Sequence, residues 1–112
     1  MSRQVIDVRP PVERALLVGA PRKGSRDAQD VEDHLDELAR LADTAGAVVV
    51  GRLTQVVSAP TPEFYIGRGK VDEVGRRMVE LGATLAIFDE ELSPRQGKHL
   101  EDALKTDRKS VV

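Results

Sequence analysis

The stretch "TLAIFDEELSPRQ", residues 84–96, changes from the pattern of a strand to the pattern of a helix. Its first part, "TLAIFDE" at 84–90, is a short apolar run of the kind that forms a buried strand. "SPRQ" at 93–96 then supplies Ser as an N-cap, Pro at the first helical position and Gln where it completes a capping box. The stretch therefore predicts a strand that passes through a short loop into a helix.

The same change of pattern occurs near the beginning of the chain. "RALLVG", 14–19, is a short apolar run that ends in glycine and predicts a buried strand. A helix is predicted next and ends at Gly46, where a C′ glycine belongs. Its apolar residues, at the spacing of an amphipathic helix, are Ala28, Val31, Leu35, Leu38, Ala42 and Ala45.

The pattern repeats through the middle of the chain. "AVVVGRLTQVVS", 47–58, is rich in β-branched residues and predicts a long strand with a bulge or bend at Gly51. After a loop rich in Pro and Gly, the helical period returns from Lys70 and stops at Gly82. "KSVV", 109–112, predicts the beginning of a fourth strand.

This alternation of strands and helices with short connections predicts an α/β fold. We expect a small, mainly parallel sheet of about four strands in the order β-α-β-α-β-α-β, with helices packed on it. The preferred spatial order of the strands is 2-1-3-4. The loops that follow strands then gather at the carboxyl edge of the sheet, where we expect any binding site. These loops, 19–27, 58–70 and 88–94, are called the carboxyl rim.

Composition limits the class of protein. A chain of 112 residues with 40% hydrophobic residues predicts one domain, over 13–112, after an extended lead-in over 1–12. The 17 Lys and Arg nearly balance the 19 Asp and Glu, so a polyanionic partner must meet a local basic patch.

The absence of cysteine removes disulfides and thiolate metal sites and suits a reducing compartment. No apolar run is long enough to span a membrane, and we expect a cytoplasmic protein.

Two loops of the carboxyl rim carry cations beside glycines. The Walker spacing fails because Lys70 is followed by Val71, and the Rossmann spacing fails because position 72 is Asp. The glycines could serve only to turn the chain from strand into helix, or the loop could present cations and backbone N–H groups to an anion. The candidate residues for binding a nucleic-acid backbone are Tyr65, Gly67, Arg68, Gly69, Lys70, Arg22, Lys23 and Arg26.

The remaining candidates are aromatic and acidic. If 64–66 is a loop, at least one of Phe64 and Tyr65 is expected outside the core, where it could contact a partner. The three carboxylates at 89–91 could bind a metal or act in acid–base chemistry, but the simpler interpretation is that they favour the start of the next helix through its dipole. Neither histidine is assigned to a metal, and no catalytic residue is predicted.

Four blocks in a fixed order carry a resemblance to a known family. They are "ERALLVG" at 13, "ELARLADTAGAVVVGRLTQ" at 37, "YIGRGKVDEV" at 65 and "IFDEELSPRQGKHLEDAL" at 87. Together they resemble the N-terminal domain of the HflX family of ribosome-associated GTPases. The resemblance runs over about residues 13 to 112.

The resemblance implies a module that binds the large (50S) ribosomal subunit and its rRNA and acts in the splitting or rescue of stalled ribosomes. It implies a G domain of the same protein as a further partner, with GTP and Mg²⁺ bound there and no cofactor in this chain. The sequence ends before the linker and the G domain of the family, so we do not expect this chain to hydrolyse GTP. Its end inside an apparent strand favours an excised domain over a protein that has lost its motor.

The resemblance also suggests a role for each residue of "FYIGRGK", 64–70. Arg68 and Lys70 would contact phosphates, Tyr65 would make a stacked or wedged contact, and Gly67 and Gly69 would set the path of the backbone. Two alternatives remain open: an autonomous domain that binds ATP or another nucleotide, and a regulatory domain that restrains the G domain.

Overall fold

The computed structural model describes residue 6, residues 12–104 and residues 110–111 of the chain. The predicted lead-in lies outside these residues, except for Ile6 and Val12, whose side chains are exposed. None of the helices within the described ranges is both long enough and apolar enough to cross a bilayer.

Strands and helices alternate along the chain and form one parallel sheet. The strands are β1 (Arg14–Gly19), β2 (Val48–Thr54), β3 (Leu85–Phe88) and β4 (Ser110–Val111). The helices are α1 (Arg26–Gln29), α2 (Val31–Thr44), α3 (Arg68–Leu81) and α4 (Pro94–Leu104). Every strand pair is parallel and the order in the sheet is β2-β1-β3-β4. The predicted α/β class and the 2-1-3-4 order are confirmed.

β1 lies in the centre of the sheet because its residues are apolar on both faces. Its register with β2 pairs Ala15 with Val49 but Leu16 with Gly51, so Val50 is an extra residue on β2. A Cβ atom added to Gly51 would lie 2.7 Å from Cδ1 of Leu81. The bulge predicted here is confirmed, and glycine at this position lets the side chain of Leu81 pack closely against it.

The two faces of the sheet are covered unequally. α3 and α4 pack on one face, where they enclose the larger part of the core around Leu16, Val18 and Leu100. α2 packs on β1 and β2 of the other face, where the alanines Ala15, Ala42 and Ala47 form a smaller buried cluster and Leu35 of α2 is also fully buried. On that second face, Leu85 and Ile87 of β3 are only partly buried.

The helix ends follow the predicted signals. Gly46 and Gly82 both take left-handed backbone conformations, with φ of 92° and 65°. The capping box of α4 is formed: the backbone N–H of Gln96 donates to Oγ of Ser93 at 3.1 Å, and the backbone N–H of Ser93 donates to Oε1 of Gln96 at 3.0 Å. Local sequence therefore fixes where these helices begin and end.

Two predicted elements have different boundaries. The single helix expected over 28–45 is broken at Asp30, because Ser25 caps a separate first turn by accepting a hydrogen bond from the backbone N–H of Ala28. The strand expected over 47–58 ends at Thr54, although Val57 still bridges to the loop after β1. The ladder stops there because Pro21 has no backbone N–H to continue it.

Candidate functional site

The three loops of the carboxyl rim meet at one edge of the sheet. The first two are joined by a bridge between Arg22 and Val57. The second and α4 are joined by a hydrogen bond of 3.0 Å from Nε2 of Gln96 to the carbonyl oxygen of Thr61. The second and third are close enough that, after burial, the charge of Glu90 helps to raise the pKa of the Tyr65 hydroxyl. The structure thus brings together the loops that the sequence placed on one rim.

Thr61 closes a tight turn over residues 61–66. Its backbone exchanges two hydrogen bonds of 3.0 Å with the backbone of Tyr65, and its Oγ1 donates to the carbonyl oxygen of Ile66 at 3.0 Å. The backbone N–H of Phe64 donates to the same Oγ1 at 3.1 Å. To complete this turn, Tyr65 takes a left-handed conformation with φ of 71°, which is uncommon for a bulky residue.

The turn directs both aromatic side chains into the protein. Phe64 is 8% exposed and Tyr65 is 9% exposed, so the expectation that one of them lies outside the core is wrong. The ring of Phe64 meets the ring of His99 edge-on, with centroids 6.3 Å apart. Burial, and next the charge of Glu90, raise the pKa of the Tyr65 hydroxyl. Tyr65 is therefore a buried anchor of the turn and not an exposed platform for a base.

The cations of the second loop differ in how available they are. The side chain of Arg68 is 76% exposed, with its guanidinium 3.2 Å from Glu63 and 5.9 Å from the centre of the Phe64 ring. Lys70 is only 14% exposed, and its Nζ lies 3.1 Å from the carboxylate of Glu73. Of the two predicted phosphate contacts, Arg68 faces solvent and Lys70 is mostly covered.

The cations of the first loop are all exposed. Arg22, Lys23 and Arg26 form no ion pair with any residue that the structure describes. The backbone N–H of Lys23 donates to the carbonyl oxygen of Val57, which holds this loop against the second one. Together with Arg68, the first loop gives the carboxyl rim its positive side chains.

Gly67 and Gly69 lie where the second loop becomes α3. Gly67 is the N-cap, with φ of −70° and ψ of 156°, values open to any residue, and no side-chain hydrogen bond caps the helix. A Cβ atom added to either glycine would meet no atom within 4 Å. Both positions are exposed. The interpretation that these glycines serve only to turn the chain is therefore not supported by the geometry.

The carboxylates at 89–91 line a groove and do not lie in the first turn of α4. That turn contains no acidic residue, and its cap is supplied by Ser93 and Gln96. The groove, of about 580 Å³, lies between α2 and the end of β3 and is called the α2–β3 groove. Its carboxylates come from three places in the chain: Asp27, Glu37, Asp89, Glu90 and Glu91.

The acidic side chains of this groove are partly removed from water. Burial raises the pKa of Asp89, and the opposing attraction comes from His34, whose Nδ1 lies 3.7 Å from the carboxylate. Burial, followed by repulsion from Asp27 and Asp89, raises the pKa of Glu90. Within the described residues, no group of three or more His, Cys, Asp or Glu side chains is arranged to hold a metal ion. The sequence did not reveal this groove, because Asp27 and Glu37 join it only through the fold.

Comparison with known proteins identifies the family. A family model described as "GTP-binding GTPase N-terminal" matches residues 32–112. The chain belongs to the N-terminal domain family of HflX-type GTPases. It is 39% identical over 112 residues to the GTPase HflX of Lacrimispora saccharolytica, covering 97% of this chain. It is 36% identical over 89 residues to the GTPase HflX of Escherichia coli, covering 80% of this chain.

A solved structure has a similar fold over most of this chain. The chain matches the crystal structure of the SsGBP variant G235S with a TM-score of 0.63 and 21% identity, over 89% of this chain and 28% of that one. The chain spans 26% of the length of the Lacrimispora relative and 20% of the Escherichia relative. The similarity therefore covers one domain of much longer proteins.

Proposed function

We propose that this domain is the ribosome-binding module of an HflX-type GTPase, and that it presents the two basic loops of the carboxyl rim, 19–27 and 58–70, to the rRNA of the large subunit during the splitting or rescue of stalled ribosomes. Arg22, Lys23, Arg26 and Arg68 supply exposed cations at the rim. Such side chains contact phosphates and position a protein on a nucleic-acid backbone without reading its sequence. Ribosomes also make the cytoplasm its expected location.

The observation that carries the proposal is the pair Gly67 and Gly69 at the start of α3. The fold makes no steric or conformational demand for glycine at either position. Glycine there leaves the backbone N–H groups of an uncapped helix N-terminus open to close approach by another molecule. An exposed arginine, Arg68, lies between them. This combination suits a phosphate backbone that comes within hydrogen-bonding distance of the main chain.

The groove beside the rim favours this function over autonomous nucleotide binding. In open α/β sheets a nucleotide binds outside the carboxyl ends of the strands, where the strand order reverses. In this sheet that position lies between β1 and β3 and belongs to the α2–β3 groove, whose charged lining is five carboxylates and His34. Triphosphates would be repelled there. We therefore assign GTP, Mg²⁺ and hydrolysis to the part of the GTPase outside this domain.

Co-sedimentation with purified large ribosomal subunits across a salt series tests the proposal. Binding should fall as salt rises, and the variant Arg22→Ala/Lys23→Ala/Arg26→Ala should bind at least ~10-fold more weakly and with a shallower salt dependence. A variant with the same change of charge, Arg40→Ala/Arg76→Ala/Arg77→Ala, alters α2 and α3 away from the rim and should bind as the parent does. An equal loss of affinity in both variants would overturn the assignment of the rim. An affinity that does not change with salt concentration would overturn the proposal.

A further inference from the structure

One face of the sheet is left incomplete beside α2. α3 and α4 pack on one face, whereas α2 packs on β1 and β2 of the other. No further helix of the described ranges lies beside α2 over β3, and the side chains of Leu85 and Ile87 remain partly exposed on that side. A sheet face with apolar side chains is stable when another element packs on it. The face therefore has room for one more element next to α2.

The α2–β3 groove lies between α2 and the carboxyl end of β3, at the end of this incomplete face. Its apolar side is formed by Val31, Leu38 and Leu41 of α2 together with Phe88. Leu41 is 60% exposed, an unusual position for a large apolar side chain that faces a groove. These side chains form an apolar strip. The apolar face of an amphipathic helix, with residues at i, i+3, i+4 and i+7, can pack against such a strip.

The charged end of the groove defines the chemistry of the element that fits it. Carboxylates approach it from α1, from α2 and from the loop after β3, and the lining contains neither Lys nor Arg. His34 is the one basic side chain of the lining, and it is close to Asp89 alone. Burial, and next repulsion from Asp27 and Asp89, raise the pKa of Glu90, so its charged form is not fully balanced by the attraction of His34. A partner with Lys or Arg at the matching end would supply further positive charge.

We propose that the α2–β3 groove is the docking site of a basic amphipathic helix, supplied by the same GTPase from the part that its relatives carry outside the matched region. That part amounts to most of each relative, since this chain spans 26% and 20% of the two described above. A helix in the same polypeptide is held near the groove by its connection, so a modest intrinsic affinity suffices. RNA is excluded as the occupant because the carboxylates would repel its phosphates. The inference rests on the family and on the groove, and not on ribosome binding.

The test uses the 112-residue chain, ¹⁵N-labelled, and a set of overlapping synthetic peptides. The peptides cover the part of the Lacrimispora saccharolytica GTPase that lies outside the matched region. We expect a peptide with an apolar stripe and several Lys or Arg residues to shift the amide signals of α2 and β3. Its Kd should be below about 1 mM, the range in which linkage in one chain makes docking effective. Raising the salt concentration should weaken the binding, because the end of the groove is acidic.

A matched pair of variants locates the binding. Leu41→Asp places a charge on the apolar side of the groove and should weaken the binding of the peptide at least ~10-fold. Val79→Asp makes the same change at an apolar residue of α3 that is 71% exposed on the opposite face, and should have no effect. Glu37→Gln should weaken the binding of a basic peptide and make that binding less dependent on salt concentration.

Three results would overturn the proposal: no peptide of the set binds, the peptide that binds is acidic, or Leu41→Asp binds as well as Val79→Asp. No ribosome is present in this titration. A negative result here therefore leaves the co-sedimentation experiment unaffected, and a negative co-sedimentation result leaves this titration unaffected.

Discussion

The side chain of Gln96 joins two parts of the structure: its Nε2 donates to the carbonyl oxygen of Thr61 at 3.0 Å, while its Oε1 accepts from the backbone N–H of Ser93 at 3.0 Å. The first bond holds the turn over 61–66 and the second caps α4. His99 adds a second link, because its Nδ1 lies 3.0 Å from the carbonyl oxygen of Glu63. α4 therefore positions the loop that carries Gly67 and Arg68.

Replacing Gln96 by Glu separates these two functions. Glu still completes a capping box, but it cannot donate a hydrogen bond to the carbonyl oxygen of Thr61. A carboxylate oxygen placed there would repel that carbonyl oxygen. Gln96→Glu should lower the free energy of unfolding by about 1–2 kcal/mol and speed hydrogen exchange in 61–66. Ser93→Ala should cost about 1 kcal/mol through the lost cap and leave exchange in 61–66 unchanged. Equal exchange in the two variants would show that α4 does not hold the turn.

Substitution by alanine should distinguish the glycines that the fold requires from those it does not. Gly82 ends α3 with φ of 65°, so Gly82→Ala should cost about 1 kcal/mol in thermal or urea unfolding. Gly69 lies in the first turn of α3 with open space around it, so Gly69→Ala should leave stability unchanged or raise it by up to about 1 kcal/mol. A large loss in Gly69→Ala would mean that the fold itself requires this glycine.

The acidic side of the α2–β3 groove should appear in the pH dependence of stability. The folded state raises the pKa of Glu90, first by burial, so the folded protein binds this proton more tightly than the unfolded chain. The contribution of Glu90 to stability is therefore present at low pH and is lost as pH rises through its folded pKa. Glu90→Gln should raise the free energy of unfolding at neutral pH.

The stabilisation by Glu90→Gln should disappear below about pH 4, where the carboxyl group is protonated in both states. Urea unfolding at a series of pH values measures it. Glu101→Gln, at an exposed position on α4, is the control and should follow the parent protein across the series. If Glu90→Gln destabilises the protein at neutral pH, the favourable interaction of the Glu90 carboxylate with Tyr65 outweighs the effects of burial and repulsion.

The order of elements could be predicted from the sequence because it depends on local signals. Apolar runs identified β1 and β3, the Ser93–Gln96 capping box set the start of α4, and Gly82 set the end of α3. These signals act within a few residues of the structure that they specify. The spatial order of the strands then followed from the rules for parallel sheets.

The candidate site could be predicted only in part because burial depends on distant contacts. At least one of the two aromatics was expected outside the core, in a loop rich in Pro and Gly, but hydrogen bonds with Thr61 fold both into the core. Lys70 looked available, yet it is covered and paired with Glu73. The α2–β3 groove unites carboxylates that are far apart in sequence, and no local pattern marks such a set.

The most direct measurement of the central claim is the affinity of the double variant Gly67→Ala/Gly69→Ala for large ribosomal subunits, determined by co-sedimentation beside its thermal unfolding. Cβ atoms added at the two positions meet no atom of the described residues within 4 Å, so a loss of affinity would point to a partner that approaches the start of α3. Alanine is less favourable than glycine at the N-cap but more favourable in the first turn, so the proposal predicts an unfolding temperature close to that of the parent and an affinity at least ~10-fold lower. A stable double variant that binds the subunit as tightly as the parent would contradict it.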